Sequence, residues 1–544
     1  GIQLDASNST INVDASTTLT YAGIIDHQGS ETNNGYTKSG GGTFALSGDS
    51  TYSGVTTISA GVITIAHAGS LGSTSGATSI TSGAALSISG GITVAEPITV
   101  NGTGVSSGGA IVFTANDNTY SGAITLGSTS TIVSTGGAQT ISGAVNGGYG
   151  LTITANGNLI VSGAVGGNTD LSSYAVTTTG SASQTFSANV ETTGNQTYTA
   201  AGGIVTSGAR TFDSSGGTVN FASALSGNNN VTVTGNADID GAITSIAVLS
   251  ISGTSNVGAD ITTSGTQTYT GAVTLSADVT LTSSNDVITF SSTINSDGTA
   301  RDLTLAPGSG NIVISNTIGG SGVLDVLTIN TTGTASFTAV NAASVVITQS
   351  GGTSFSGILD ITTVTLTDTA DAASVTFNGN ATITTLNTAG QAYNVVFNGA
   401  SNTITNAVTF SNTGFVTLGN GSSDSITFTA GVTAEAPSSV NVAGSVKASN
   451  TATISLGDSG TGISVTANAT IGDTSTGSIT LGGDATLADG VTLTLGRTGT
   501  TNTISTQDIV GTASGTISAL VISTNSTTTI NGNIGTDVGS LQLH

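Results

Sequence analysis

Three short runs of alternating apolar and hydroxyl residues, separated by tight turns, occupy residues 37–66. The runs span residues 43–47, 55–59 and 62–66. Alternation with a period of two is typical of a half-buried strand. The Gly and Asp between the runs supply the backbone angles that tight turns need. Three strands and three corners predict one or two coils of a parallel β-solenoid.

One phrase returns along the chain: an aromatic or branched residue, then Ser, Thr or Asn, then Gly. Its glycines recur at near-equal intervals in two clusters, one of Gly122, Gly143 and Gly163 and the other of Gly357, Gly379 and Gly399. A regular step of this kind, roughly 20 residues long, indicates a solenoid whose coils stack on their neighbours. The predicted fold is therefore all-β: an elongated, rod-like, right-handed parallel β-helix with essentially no helix.

The alternation also predicts which side chains face inward. Val, Ile, Leu, Phe and Ala are expected to stack inside in ladders, with Thr, Ser, Asn and Asp outside. Ile124 is predicted to face inward and Thr125 outward.

Composition supports order and excludes several functions. Charged residues are 6% of the chain, and three prolines accompany 79 glycines. Disordered chains of this glycine content are normally rich in proline or charge. The formal net charge is −24, with five scattered Lys and Arg, which argues against nucleic-acid binding because phosphate neutralisation needs clustered cations.

Cysteine is absent, so no disulfide framework or thiolate metal site is possible. No apolar run approaches the ~20 residues of a membrane-spanning helix, so direct membrane insertion of this segment is not expected. The acidic, hydroxyl-rich, cysteine-free composition suits the outside of a cell.

The stretch 22–73 resembles the autotransporter-associated β-strand repeat of passenger regions in large bacterial surface proteins. Residues 38–46 and 53–65 carry the resemblance. Further on, Gln-Thr-Tyr/Phe phrases such as residues 184–186 and 267–269 resemble the looser repeats of haemagglutinin-like exoproteins. Both resemblances imply a β-helical passenger that is secreted or displayed at the bacterial cell surface.

Three sections of one continuous β-helix are predicted. Residues 1–100 carry the autotransporter-type repeat, residues 101–350 carry looser repeats, and residues 351–544 are Thr-rich. Prolines interrupt strands, so residues 434–439 are the expected corner loop or hinge. Glu96-Pro97 and residues 306–308 mark similar interruptions.

No catalytic cluster is evident, and the chain is not expected to be an enzyme. His27, His67 and His544 are interpreted as lone surface or edge histidines, since a histidine base needs a positioned partner. Residues 104–108 fit a Gly-x-Ser-x-Gly string, but a nucleophile elbow needs a following helix and none is expected.

Carboxylates are the other candidate catalytic groups. Arg210 with Asp213, and Arg301 with Asp297 and Asp302, are interpreted as surface salt pairs on turns. The four glutamates (Glu31, Glu96, Glu191, Glu435) lie far apart in sequence, against a glycosidase-type pair.

No cofactor is expected, and calcium is the one ligand worth weighing. Oxygen-rich turns can hold Ca²⁺, but no calcium-binding nonapeptide or EF-hand loop occurs. Most of these aspartates are expected to hydrogen-bond their own turn backbone. The turns considered are residues 116–118, 238–241, 368–371 and 483–484.

Thr-x-Thr triplets such as residues 280–282 and 363–367 resemble those of ice-binding proteins. Their spacing is irregular, and threonine favours the solvent side of strands in any case. Ice binding is therefore not favoured.

The sequence predicts an extracellular structural or adhesive rod, either an adhesin stalk or a fibre shaft. The alternative is a self-assembling filament or surface-layer subunit. Expected partners are other copies of the chain or host and cell-surface ligands. Both ends continue the repeat pattern, so each is expected to adjoin more of the same chain or a neighbouring copy.

Overall fold

The computed structural model describes residues 1–5, 9–29, 32–525 and 527–544. Its described residues form β-strands joined by turns, with one 3-10 turn at Val105–Ser107. The chain divides into two compact units, Gly1–Ser264 and Gly265–His544. The predicted all-β parallel solenoid is confirmed in both units. The three predicted sections stay a prediction.

The strands of the first unit are mostly short, with a few longer ones that bend around a corner. They are β1 Ile2–Leu4, β2 Ser9–Asn12, β3 Thr18–Tyr21, β4 Ile25–His27, β5 Tyr36–Ser39, β6 Thr43–Leu46, β7 Thr56–Ile58, β8 Gly61–Ile65, β9 Thr78–Ile80, β10 Ala84–Ile88, β11 Thr93–Val94, β12 Ile98–Gly102, β13 Ile111–Phe113, β14 Thr119–Tyr120, β15 Ile124–Ser134, β16 Gln139–Ile141, β17 Val145–Asn146, β18 Gly150–Ala155, β19 Leu159–Val161, β20 Ser173–Thr178, β21 Gln184–Phe186, β22 Val190–Thr192, β23 Gln196–Ala200, β24 Ile204–Thr206, β25 Arg210–Phe221, β26 Leu225–Ser226, β27 Val231–Ile239, β28 Ile243–Ile246, β29 Leu249–Ile251, β30 Ser255–Val257 and β31 Ile261–Thr263.

The strands of the second unit follow the same pattern. They are β32 Gln267–Tyr269, β33 Val273–Leu275, β34 Val279–Ser283, β35 Ile288–Phe290, β36 Ile294–Ser296, β37 Leu303–Gly308, β38 Ile312–Ile314, β39 Leu324–Thr331, β40 Ala335–Phe337, β41 Val340–Gln349, β42 Thr353–Phe355, β43 Leu359–Leu366, β44 Ser374–Phe377, β45 Ala381–Thr388, β46 Asn394–Phe397, β47 Ser401–Ile404, β48 Val408–Thr409, β49 Val416–Leu418, β50 Ser425–Phe428, β51 Val432–Ala434, β52 Ser439–Ala448, β53 Ile454–Leu456, β54 Gly462–Gly472, β55 Ile479–Leu481, β56 Ala485–Leu487, β57 Thr492–Gly496, β58 Ile504–Thr506, β59 Ile509–Gly511, β60 Ser518–Ser523, β61 Thr528–Ile530 and β62 Val538–Leu543.

Within each unit a strand pairs in parallel with the equivalent strand of the coil before and the coil after. β8, for example, lies between β6 and β10, with Leu46, Ile65 and Ile88 in register. Coil length varies more than the even glycine spacing predicted. Val231 pairs with Leu249 in a short coil, whereas Ser9 pairs with Tyr36 in a long one, because corners take up loops of different length while strand register is kept.

The core is a set of inward ladders, as predicted. In a typical short strand the outer two side chains are buried and the middle one faces out. Ile124 is 1% exposed and stacks between Ile98 and Val145. Thr125, the next residue, is exposed. The inward and outward predictions for this pair are confirmed.

The repeated glycines are fixed by coil-on-coil stacking. A Cβ on Gly143 would collide with the carbonyl oxygen of Gly122, and one on Gly379 would collide with that of Gly357. These corners pack backbone on backbone, so only glycine fits there. Both glycine clusters picked out by their spacing are confirmed as corner columns.

Proline positions agree with the sequence in two cases of three. Pro97 lies between β11 and β12, and Pro437 lies between β51 and β52. Pro307 instead lies inside β37, where the register shifts between Leu305 and Gly308. The predicted interruption there is a bulge within a strand.

No helix in the described part of the chain is long and apolar enough to cross a membrane.

Candidate functional site

The phrase that stood out in the sequence forms the strands β5, β6, β7 and β8. The three predicted runs are confirmed, with small differences at their ends. The structure adds β5, which the sequence analysis missed. β5 pairs with β7, and β6 pairs with β8, so this stretch stacks one coil directly on the next.

Lys38 lies on β5 and is fully buried. Its Nζ donates to the carbonyl oxygens of Gly40 at 2.6 Å, Gly42 at 2.6 Å and Ala60 at 2.9 Å. Burial lowers the pKa of the Lys38 ammonium. Three charge-assisted hydrogen bonds compensate a buried cation, and here they tie the turn after β5 to the turn before β8.

The alternation around Lys38 contained a signal for its burial. Tyr36 and Lys38 are next-but-one neighbours in an alternating run, so both face the same side of β5. Since Tyr36 is buried, Lys38 must be buried too. In the sequence Lys38 was one of five scattered cations, and no structural role was predicted for it.

Aromatic rings fill the interior beside Lys38. Tyr36 packs edge-on against Phe44 and Tyr52, with ring centroids 6.2 and 5.5 Å apart. The Tyr52 hydroxyl pairs with Thr56 Oγ1 at 2.6 Å. Edge-to-face packing of this kind adds to the burial of each ring, so the two coils are joined by an aromatic cluster as well as by the lysine.

His27 and Ser53 form a pair that sequence reasoning did not find. His27 Nε2 lies 3.0 Å from Ser53 Oγ, and the Ser53 backbone N–H donates to the same nitrogen at 3.1 Å. A catalytic pair also needs a group that orients the imidazole through Nδ1. The neighbouring Asp26 accepts from the His27 backbone N–H instead, and a hydrogen bond from Thr51 lowers its pKa. The pair links two successive coils.

The remaining histidines are confirmed at surface positions. His67 Nδ1 lies 3.6 Å from Asp49 Oδ1, with both side chains well exposed. His544 Nε2 lies 3.3 Å from Gln542 Oε1 and is exposed. The Gly-x-Ser-x-Gly string forms only the 3-10 turn Val105–Ser107, in which both serines have positive φ. That geometry is a tight turn and not the entry to a helix.

One of the two expected cation–carboxylate pairs is confirmed and one is wrong. Arg301 binds Asp297 through two hydrogen bonds of 3.1 and 3.0 Å. Arg210 instead donates to the carbonyl of Ser207. Asp213 is stacked in register with Glu191, and burial followed by the charge of Asp170 raises its pKa. Asp302 accepts from the Val326 backbone rather than from arginine.

The expectation that turn aspartates bond their own turn is wrong for several of them. Asp117 accepts from the Ala138 N–H at 2.7 Å, and Asp484 accepts from the Asp508 N–H at 3.3 Å. Each acceptor therefore bonds the backbone of the next coil. Asp238 and Asp240 accept from Asn220. The carboxylates of these aspartates therefore accept hydrogen bonds that join neighbouring coils.

Asparagine does the same at many corners. Its side-chain oxygen accepts a backbone N–H one coil on, as in Asn236 to Thr254 at 3.0 Å and Asn311 to Thr334 at 2.9 Å. Within the described ranges no group of three or more His, Asp or Glu is placed to hold a metal ion. Glu31 lies outside the described residues.

Threonines on outward faces line up for short distances only. Thr280, Thr304 and Thr328 are in register, and the next residue in the column is Val346. The hydroxyl rows are therefore interrupted, as their spacing in sequence suggested.

Comparison with known families bears on the coil around Lys38. Residues 37–65 match the family model described as the passenger-associated-transport-repeat. The match lies inside the stretch whose residues carry the resemblance. Together with the solenoid, it fits an autotransporter passenger β-helix. No curated protein and no solved structure shows a significant match to the chain.

The matched repeat and the buried contacts coincide. Residues 37–65 include Lys38, its three acceptors, Phe44, Tyr52 and Thr56. The matched residues thus contain the buried lysine with all three of its acceptors and two of the three rings of the aromatic cluster, whose third ring, Tyr36, directly precedes the match.

Proposed function

We propose that this chain is an extracellular structural and adhesive segment of a bacterial surface protein, working as an adhesin stalk or fibre shaft. The observation that carries the proposal is the passenger repeat at residues 37–65, folded into a parallel β-solenoid. Ladders of backbone hydrogen bonds and stacked side chains resist deformation, which suits a part that holds other groups away from a cell.

The proposed role is mechanical, without catalysis, cofactor or calcium. His27 bridges two coils through Ser53, and Asp117 and Asp484 hold neighbouring coils. In this proposal the histidine and the two aspartates stabilise the stacking of coils. Partners in this proposal are cell-surface or host ligands, or other copies of the chain.

Labelling of intact cells tests the proposed location. Bacteria that produce the protein are incubated with antibodies raised against this chain, with and without external protease. We expect labelling of unbroken cells and its loss after protease, while a periplasmic control protein stays intact. Labelling that requires permeabilised cells would overturn the surface proposal.

Attachment of cells tests the proposed adhesive role separately. Added purified chain should compete with producing cells for attachment to host cells or to one another. Surface labelling without any competition would leave a structural shaft and remove the adhesive part of the proposal.

The second candidate is a subunit that assembles with copies of itself. Parallel strands favour it in general, because they can pair with strands of another copy through their backbone groups.

A further inference from the structure

The corner between β11 and β12 carries a glutamate where the following coils carry glycine. Val94, Tyr120 and Ile141 are in register, and two positions after each stand Glu96, Gly122 and Gly143. Glu96 is 3% exposed. Neither of its carboxyl oxygens has a hydrogen-bond partner among the described residues.

The groups around Glu96 are used elsewhere or are neutral. The Tyr120 hydroxyl donates to the backbone oxygen of Glu96 at 2.7 Å and not to its carboxyl group. The Tyr52 hydroxyl is paired with Thr56. Pro97 follows directly and has no N–H to donate.

The other polar groups of this interior supply no positive charge to Glu96. The Thr78 N–H of strand β9 donates to the carbonyl oxygen of Pro97, and Thr78 Oγ1 has no partner within the described part of the chain. Burial raises the pKa of Tyr36, which packs on Tyr52, so this ring also stays neutral. Lys38 Nζ is held by its three carbonyl oxygens.

We propose that Glu96 is a proton switch: the folded corner holds the neutral acid, and loss of its proton opens the corner between β11 and β12. An ionised carboxylate without a cation or donors is strongly disfavoured in a buried site. The backbone there must move to let water reach the charge. This regulation is independent of the proposed surface role.

The pH window follows from the carboxyl group. Burial raises the pKa of Glu96 to about 8, from 4.5 for the free side chain. Burial also raises the pKa of Tyr52 and Tyr120 above their ordinary value, so both stay neutral in this range. Because the folded pKa is the higher one, the stabilising effect is complete below pH 4.5 and is lost as the pH rises through about 8.

Hydrogen exchange followed by mass spectrometry on the full chain tests the switch. Exchange is measured at pH 6 and pH 8 and corrected for the intrinsic rate. For residues 93–100 we expect protection to fall by up to about 50-fold between the two pH values. Residues 374–397, which contain no Asp or Glu, serve as the internal reference and should change little.

Variants assign the effect to Glu96. Glu96→Gln should abolish most of the difference between pH 6 and pH 8, whereas Glu435→Gln, at an exposed glutamate near another proline, should keep it. Glu96→Gly introduces the residue that the following coils carry at this position. It is the second test variant, in case the glutamine disturbs packing. Equal corrected protection of residues 93–100 at both pH values in the unmodified chain would overturn the proposal. An undiminished pH effect in both Glu96 variants would overturn it as well.

Discussion

The passenger-repeat coils of the first unit and the phenylalanine coils of the second fill their interiors with different side chains. Around β5–β8 the interior mixes Tyr36, Phe44 and Tyr52 at steep angles with the buried Lys38. In β40, β42, β44 and β46, one phenylalanine stacks on the next. Phe337, Phe355, Phe377 and Phe397 have centroids 4.7–5.5 Å apart and planes within 20° of parallel.

The two regions show how the regularity of the coils determines which side chains fill the interior. Where coils repeat faithfully, identical rings stack and the interior needs no charge. Where a turn directs carbonyl oxygens inward, a buried donor must meet them. Lys38 does this in the passenger repeat, and Gln196 does it further along through its bond to the Asp213 carbonyl. The passenger repeat therefore closes its turn with a buried cation, whereas the phenylalanine coils of residues 335–397 contain no Lys or Arg.

The largest expected effect concerns what both regions share, the inward ladder. Ile124→Asp places a charge between Ile98 and Val145 and should lower the free energy of unfolding by at least about 4 kcal/mol. Thr125→Asp, on the outward side of the same strand, is the control and should be nearly neutral. Urea unfolding followed by circular dichroism measures both. Equal stability of the two variants would contradict the inward register.

Next in size is the phenylalanine column. Phe377→Ala removes the ring between Phe355 and Phe397 and should cost about 3–5 kcal/mol. Phe377→Leu keeps much of the volume and should cost clearly less. The same unfolding measurement applies. A loss below about 1 kcal/mol for the alanine variant would mean that the column contributes little.

The third largest loss of stability is expected from substitution of the buried Lys38. Lys38→Met keeps the length of the side chain but leaves the carbonyls of Gly40, Gly42 and Ala60 without this donor, at a cost of about 2–3 kcal/mol. Lys38→Gln retains a donor, as Gln196 does, and should recover part of that loss. Urea unfolding measures both variants beside the parent chain. If both variants match the parent, the lysine is not what closes the repeat.

The smallest effect is expected on the outer surface of the phenylalanine coils. Asn398 Nδ2 donates to Asn378 Oδ1 at 2.9 Å in an exposed position. Asn398→Ala should therefore cost at most about 1 kcal/mol. Thermal unfolding of this variant beside Phe377→Ala compares the contribution of the outer amide column with that of the inner aromatic column. Comparable losses of stability in the two variants would contradict this ranking.

Period-two alternation and glycine spacing predicted the fold well, because both follow directly from coil stacking. Ile124, Thr125 and the columns through Gly143 and Gly379 lie where those patterns put them. Contacts between coils were harder to predict. Arg210 near Asp213 in sequence suggested an ion pair, but the turn directs its guanidinium to Ser207.

The buried ionisable groups were missed for a related reason. No burial was predicted for Lys38 or Glu96, because the partners of Lys38 and the lack of partners at Glu96 depend on how the coils stack. For Lys38 the sequence did contain an indication of burial, because the period-two alternation puts it on the same side of the strand as Tyr36. For Glu96 the signal was its alignment with the glycine of the following coils.

Light scattering on the isolated chain tests most directly whether this solenoid is a displayed stalk. The chain has a mass of 52.3 kDa. The stalk account predicts that this mass stays constant over roughly a hundredfold range of concentration, because nothing in it requires assembly. A mass that grows with concentration would contradict the stalk and support the self-assembling subunit.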